Sequence, residues 1–338
     1  MKKITDFDFK NKKVLLRTDF NVPLDEKGNI LNDFRIKAVL PTIRYLIEHE
    51  AQIIIISHLG RPEGRKEKYS LKPVVECLEK YLGMKIKLVD DFKYLKIGSG
   101  ETAVLENIRF YKEEEENDLE FAKQLAQLGD IYINDAFAVC HREHASIVGI
   151  PEHLPSGIGL LIEKELEVLD KLIKNPFKPF VAVMGGKKVE TKAKFIDKIS
   201  EICDWVLVGG LLPLEIEKEN IQFKYADKII LPVDWKKNNF DVGEETAQLF
   251  KEKIKKARTV FWNGPLGKFE EEEFSQSSRE VAQAIIESRA FSVVGGGETI
   301  EFLAQIGLID KFSYVSTGGG AMLNYIVDGQ LVGLDVLK

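Results

Sequence analysis

Residues 291–300 read FSVVGGGETI: a short apolar run, three glycines, an acid and a hydroxyl. The run is continuous rather than alternating, which suits a strand buried on both faces. Gly295, Gly296 and Gly297 carry no β-carbon, so another group can come close to their backbone. The stretch reads as a buried strand turning sharply into a helix. Similar runs recur along the chain: VLLRTDF from Val14, QIIIISH from Gln52, TAVLENIRF from Thr102, IYINDAF from Ile131, FVAVMGG from Phe180, WVLVGG from Trp205, KIILPVD from Lys228, TVFWNGP from Thr259 and SYVSTGGG from Ser313. Helical patterns fill most of the gaps. In NDLEFAKQLAQLG (117–129), Asn117 or Asp118 can cap, Leu119, Ala122, Leu125 and Ala126 share a face, and Gly129 supplies the stop. This alternation predicts an α/β fold with doubly wound parallel sheets.

A chain of 338 residues is too long for one ordinary core, so two domains are expected. The predicted boundary is an amphipathic helix within 158–175. There Ile162, Leu166, Leu169 and Ile173 fall at helical spacing, and Asn175-Pro176 ends the run. A net charge of -6 argues against nucleic acid as a partner. Cys77, Cys140 and Cys203 stand far apart and form no disulfide framework, which suits a reducing cytosol. The first ten residues lack the apolar core of a secretory signal, and the longest greasy run, Ile53 to Ile56, is far short of a membrane span. A soluble cytoplasmic protein with no membrane partner is expected. The acid runs Glu113–Glu116 and Glu270–Glu273 read as mostly solvated faces, Glu270 excepted.

Ligands of parallel α/β folds bind beyond the carboxyl ends of the strands. In the first half those ends carry Asp19 and Asn21, then Ser57-His58-Leu59-Gly60-Arg61, then Asn107 and Arg109, then Asn134-Asp135 followed by His141-Arg142. Arg35 opens the helical stretch after the first strand. Arg61, Arg109 and Arg142 converging on one face would make a planar trap for phosphate or carboxylate. In the second half the strands end in glycine: Gly185-Gly186, Gly209-Gly210, Gly264, Gly295–Gly297 and Gly318–Gly320. Backbone N–H groups at helix starts bind phosphates without charged side chains, so these turns suggest a polyphosphate cradle. Lys188 and Lys192, four apart, would share a helix face after the first of them. P-loop, dinucleotide and protein-kinase signatures are absent. The stretch Cys140-His141-Arg142-Glu143-His144 is a poor zinc site, since an arginine in its middle opposes a cation. The division suggests an anionic small molecule on one domain and a nucleotide on the other.

In order, RTDFNVPL, SHLGRP, LENIRF, NDAFAVCHREHAS, EKELEVL, LPVD, WNGPLGKFE, VVGGGET and STGGGA resemble the phosphoglycerate kinase family from about residue 13 onward. The resemblance implies two Rossmann-like three-layer αβα domains with parallel sheets. It places a 3-phosphoglycerate domain at 1–157, a helix at 158–175, a nucleotide domain at 176–323 and a tail at 324–338 returning to the first domain. The implied activity is reversible phosphoryl transfer between Mg-ATP and the carboxylate of 3-phosphoglycerate, with closure of the domains over the substrates. Mg2+ is the implied cofactor, ATP/ADP and 3-phosphoglycerate/1,3-bisphosphoglycerate the implied ligands, and a monomer is expected. Asp19 and Asn21 would place the glycerate backbone, and His58, Arg61, Arg109 and Arg142 its non-reacting phosphate. Arg35, Lys188, Gly319 and Gly320 would surround the transferring group. Gly186, Lys187, Lys192, Gly210, Asn263, Pro265, Gly296, Gly297 and Thr299 would bind nucleotide, Glu270 its ribose, and Glu298 the metal. A carboxylate nucleophile is already ionised, so no general base is needed.

The chain departs from the family in its second half. The excursion before LPVD is short, and WKKNNFDVGEET after it is compressed. Lys187 and Lys268 replace small or aliphatic residues of the base pocket; either base selectivity is relaxed, or both side chains point to solvent and change nothing. Thr191 stands where the family has aspartate. Glu298 also replaces an aspartate, with one methylene more of reach, and magnesium tolerates little geometric error. A non-catalytic nucleotide sensor and a simple ATPase are the competing readings. Retention of Arg35, Lys188 and Lys192 disfavours the first, and the anion pocket the second.

Overall fold

The ten continuous runs all contain strands of the computed structural model, which describes residues 1–187 and 189–337, with Glu190 and Thr191 by backbone alone. β1 (Lys13–Arg17), β2 (Gln52–Ile56), β3 (Lys87–Val89), β4 (Thr102–Leu105), β5 (Ile131–Asn134) and β6 (Ser156–Ile158) form a six-stranded sheet in the order β3-β4-β2-β1-β5-β6. A second six-stranded sheet has the order β12-β11-β10-β7-β8-β9. Its members are β7 (Phe180–Met184), β8 (Trp205–Val208), β9 (Ile229–Ile230), β10 (Thr259–Asn263), β11 (Phe291–Gly295) and β12 (Tyr314–Val315). Every pairing in both sheets is parallel. β7 and β10 are buried at all five positions, which explains why their sequences do not alternate.

Chain order reverses between β1 and β5 in the first sheet and between β7 and β10 in the second. Such switch points leave a crevice at the carboxyl ends of the strands. The register sets Arg17 beside Asn134 in one sheet and Met184 beside Asn263 in the other. Both crevices are thus floored by the residues just beyond these pairs.

The chain divides into two units, Met1–Leu166 with Gln330–Lys338, and Glu167–Gly329. The division falls inside the helix Leu160–Lys174. Asp135 accepts the Ile162 N–H at 3.0 Å and the Thr42 hydroxyl accepts the Leu160 N–H at 3.1 Å, so residues distant in sequence cap that helix. Each unit has its own core, one centred on Val14, Leu16, Ile53 and Ile55, the other on Val181, Val183, Val260 and Trp262.

The tail expected at 324–338 begins later. Residues 324–328 complete the helix Gly319–Asp328, which Gly329 ends in the left-handed conformation. Gly333 then donates its N–H to Cys140 O at 2.8 Å, Asn134 Nδ2 donates to Gly333 O at 3.3 Å, and Val332 packs on Ala136, Val139, Ile147 and Val148. β3 and β6 were not foreseen, because three-residue edge strands hold too few apolar residues to stand out. In the helix Leu119–Ala126, Asp118 is the cap, accepting Phe121 N–H at 2.7 Å. Phe121 is buried there, whereas Leu119 is exposed. No described helix is long and apolar enough to cross a membrane.

Candidate functional site

At the carboxyl end of β1, Asp19 is buried and pairs with Arg35, the second residue of the helix Phe34–Glu48. Asn21 N–H donates to Asp19 Oδ1 at 2.9 Å, while Asn21 Oδ1 accepts Gly60 N–H at 2.7 Å. The loop after β2 is thereby tied to the loop after β1. Arg109 donates to Gly60 O at 2.7 Å and lies 3.3 Å from Glu115. Asn107 holds the same loop from below, its Nδ2 donating to Leu59 O and Tyr69 O at 2.8 and 2.9 Å. His58 Nε2 faces Asp19 Oδ1 at 3.8 Å, and Arg61 is exposed beside Gly60. Among the described residues the buried Nε of Arg142 has no hydrogen-bond partner, and neither has His141 Nδ1.

The charge of this cluster comes from guanidinium groups. Burial, then Arg17, Arg109 and Arg35, hold His58 well below the usual imidazole range against the pull of Asp19. Burial and the same kind of neighbours push His144 down to about 3, and burial with Arg142 lowers His141. Arg109 is lowered only to about 10, by burial and then Arg17, so it stays charged. Burial would raise Asp19, but Arg35, the Asn21 N–H and Arg17 outweigh it and hold the carboxyl well below the carboxylate range. The result is a guanidinium cluster whose charge does not change near neutral pH.

Two residues here escaped the sequence reading. Arg17 ends β1 fully buried, and Glu114, inside an acid run expected to be solvated, is also fully buried. A charged residue closing a buried apolar run was the available signal for Arg17. Nothing in the run Glu113–Glu116 singles out Glu114.

In the second unit the glycines meet one another. Gly185 N–H donates to Asn263 O at 3.0 Å and Gly186 N–H to Pro265 O at 2.8 Å. A β-carbon at Gly185 would collide with Pro265 O, one at Gly264 with Gly185 O, and one at Gly210 would lie 2.5 Å from Gly186 N. These glycines are needed first for backbone packing at the switch point. Gly295 is likewise filled by Met322, whose Cε would lie 2.5 Å from a β-carbon there. Gly297, by contrast, opens on empty space.

Two helices start at this opening, Gly297–Gln305 and Gly319–Asp328. A β-carbon at Gly319 would lie 3.0 Å from Gly296 Cα, so the two amino ends abut and their dipoles favour an anion between them. Asn263 Nδ2 donates to Gly295 O at 3.0 Å, and the buried Thr299 hydroxyl accepts Gly264 N–H at 2.7 Å. Lys192 Nζ donates to Gly185 O, and Glu298 Oε2 stands 3.2 Å from the β-carbon position of Gly186. Lys188 falls outside the described residues.

A cavity of about 180 Å³ lies alongside, lined by Gly186, Lys187, Gly210, Pro265, Glu270 and Glu298 among others. Asn239 and Phe240, from the compressed segment, also line it and were not anticipated. Lys268 does line the cavity, but its ammonium pairs with Glu271 and sits 5.4 Å over the Phe240 ring. Glu301 is raised by burial and by the charges of Glu270 and Glu298.

The phosphoglycerate kinase family model matches residues 4–220 and 213–329. The chain belongs to the phosphoglycerate kinase family. It is 38% identical to the phosphoglycerate kinase of Finegoldia magna, covering 99% of this chain and 98% of that protein. With that of Borrelia garinii subsp. bavariensis it shares 40%, over 100% and 99%. Among solved structures it resembles phosphoglycerate kinase from Pyrococcus horikoshii OT3, with TM-score 0.88 and 34% identity, over 100% and 98%. The one from Coxiella burnetii gives TM-score 0.84 and 36% identity, over 99% and 98%. The family model's two matches overlap at 213–220, beside the shortened excursion.

Proposed function

We propose that this chain reversibly transfers a phosphoryl group between Mg-ATP and the carboxylate of 3-phosphoglycerate. Family membership supports the reaction type. The observation that carries the substrate reading is the guanidinium cluster of Arg35, Arg109 and Arg142, with Arg61 exposed beside it, set among imidazoles held neutral. Arg35, held by Asp19, neutralises the attacking carboxylate, and Arg61, Arg109 and Arg142 with neutral His58 bind the distal phosphate. Asn21, fixed through Gly60, orients the glycerate. The nucleophile is already ionised, so no side chain has to remove a proton.

On the second unit, the helix starts at Gly297 and Gly319–Gly320, with Lys188 and Lys192, take the nucleotide phosphates, and Glu270 the ribose. The donor set fits magnesium. Glu298 is an exposed carboxylate in the first turn of its helix, and the described residues hold no cluster of three metal-ligating side chains. Such an ion completes its shell with phosphate and water oxygens. Glu298 would hold it, and the ion supplies charge neutralisation to the phosphates. Thr299 acts through the Gly264 turn. A monomer in the cytoplasm completes the reading, and the three unpaired cysteines agree with a reducing compartment.

A coupled assay with 3-phosphoglycerate and Mg-ATP tests this. Turnover dependent on both substrates is expected. Nucleotide binding without turnover would favour the sensor, and hydrolysis of ATP without 3-phosphoglycerate would favour an ATPase.

A further inference from the structure

Beneath the anion site lies a polar cluster that touches no expected ligand. Glu114 and Arg17 are both fully buried. Glu114 Oε2 accepts Ser146 N–H at 2.8 Å, and Oε1 accepts the Ser146 hydroxyl at 2.6 Å. The same hydroxyl accepts Arg17 Nε–H at 2.7 Å, while Arg17 Nη2 lies 3.7 Å from Glu114 Oε1. His144 Nδ1 stands 3.7 Å from that oxygen and is neutral, so Arg17 is the cation Glu114 balances. Ser146 belongs to the segment Ala145–Gly149, directly after the loop that carries His141 and Arg142.

Arg17 reaches upward as well. Its Nη2 lies 3.4 Å from His58 Nδ1. A guanidinium can only donate, so Nδ1 accepts and the imidazole proton is left on Nε2. Nε2 is the nitrogen that faces Asp19. A buried guanidinium without its counter-charge would be strongly destabilised or would turn away, and Glu114 prevents this.

We propose that Glu114 is a positioning residue of the anion site: it clamps Arg17 and the Ser146 segment, and through Arg17 it fixes His58 as the Nε2–H tautomer. The consequence is a neutral N–H, on the nitrogen that faces Asp19, from a histidine that Asp19, Arg17, Arg109 and Arg35 surround. The inference rests on the reading that this site takes 3-phosphoglycerate.

Three proteins decide it: wild type, Glu114→Gln, and the double variant Arg17→Met/Glu114→Leu. Glu114→Gln keeps the shape and removes the charge. It should raise the KM for 3-phosphoglycerate about tenfold, the scale of one charged hydrogen bond, with kcat and the KM for Mg-ATP within about twofold. The double variant removes both charges, and replacing a buried ion pair by apolar residues is often neutral for stability. Its melting temperature should return toward wild type while its KM stays raised and its His58 shows mixed tautomers by 15N NMR. A purely structural role predicts that KM recovers with stability, and that result overturns the proposal. So does a wild-type His58 found as Nδ1–H or as a cation at neutral pH, whether or not the variants fold. If wild type fails to turn over 3-phosphoglycerate, the functional reading falls, and the ring spectra still judge the tautomer.

Discussion

Replacing Thr299 by valine separates two roles that one hydroxyl could play. Sequence alone makes Thr299 a phosphate ligand, whereas in the structure its buried oxygen accepts Gly264 N–H at 2.7 Å. Valine keeps the shape and β-branching, so no cavity forms and the helix Gly297–Gln305 is not disfavoured. What is lost is an acceptor, leaving a buried N–H unsatisfied at a cost of about 1–3 kcal/mol. In a unit the size of 167–329, each kcal/mol moves the melting temperature by about 2–4 °C, so a fall of roughly 2–12 °C is expected. All three tryptophans, Trp205, Trp235 and Trp262, lie in that unit, and Trp262 Nε1 donates to Gly264 O at 2.8 Å. Tryptophan fluorescence during thermal unfolding therefore reads the affected turn. The KM for Mg-ATP should rise as a secondary effect, and Thr299→Ser, which keeps the acceptor, should recover most of both. A melting temperature within about 1 °C of wild type, with a large rise in that KM, would refute the reasoning and make the hydroxyl a ligand group.

Gly264→Ala should leave the second unit unfolded or insoluble, as judged by circular dichroism, because its φ is +95° and its β-carbon would strike Gly185 O. Asp135 is raised to about 7, by burial first, so folded chains hold a proton that unfolded chains lose. Stability should thus fall from about pH 4 to pH 7 in wild type relative to Asp135→Asn, by chemical denaturation. Asp19 has the opposite sign: its depressed carboxyl adds stability above the usual carboxylate range that is lost as pH falls through and below it, and Asp19→Asn should flatten that acid limb. Lys268→Leu should change the ratio of GTP to ATP turnover by less than about twofold, since the exposed ammonium is held at the rim by Glu271. A larger change would return Lys268 to the base.

Most of the architecture was legible because parallel strands buried on both faces write themselves as unbroken apolar runs. β3 and β6 left no such mark, being three residues long at sheet edges. The arginines at strand ends and the glycine turns were legible as types. Their reasons were not. Gly185, Gly210 and Gly264 read as ligand contacts, but each faces another backbone, a fact that depends on β7 lying between β8 and β10. Glu114 was lost among four consecutive glutamates, because which of them turns inward depends on Arg17 and Ser146, far away in sequence. Phe240 joined the cavity because the chain is compressed there, and a shortened loop carries no label for what fills its place.

The segment Gln330–Lys338 has a consequence for the order in which this protein can be made. It belongs to the first unit but emerges from the ribosome only after all of residues 167–329. Until then Cys140 O lacks the Gly333 N–H, and the apolar patch of Ala136, Val139, Ile147 and Val148 lacks Val332. The earlier-made half of the chain is therefore the later one to be finished. During synthesis it waits with an open seam beside His141 and Arg142 while the second unit is translated.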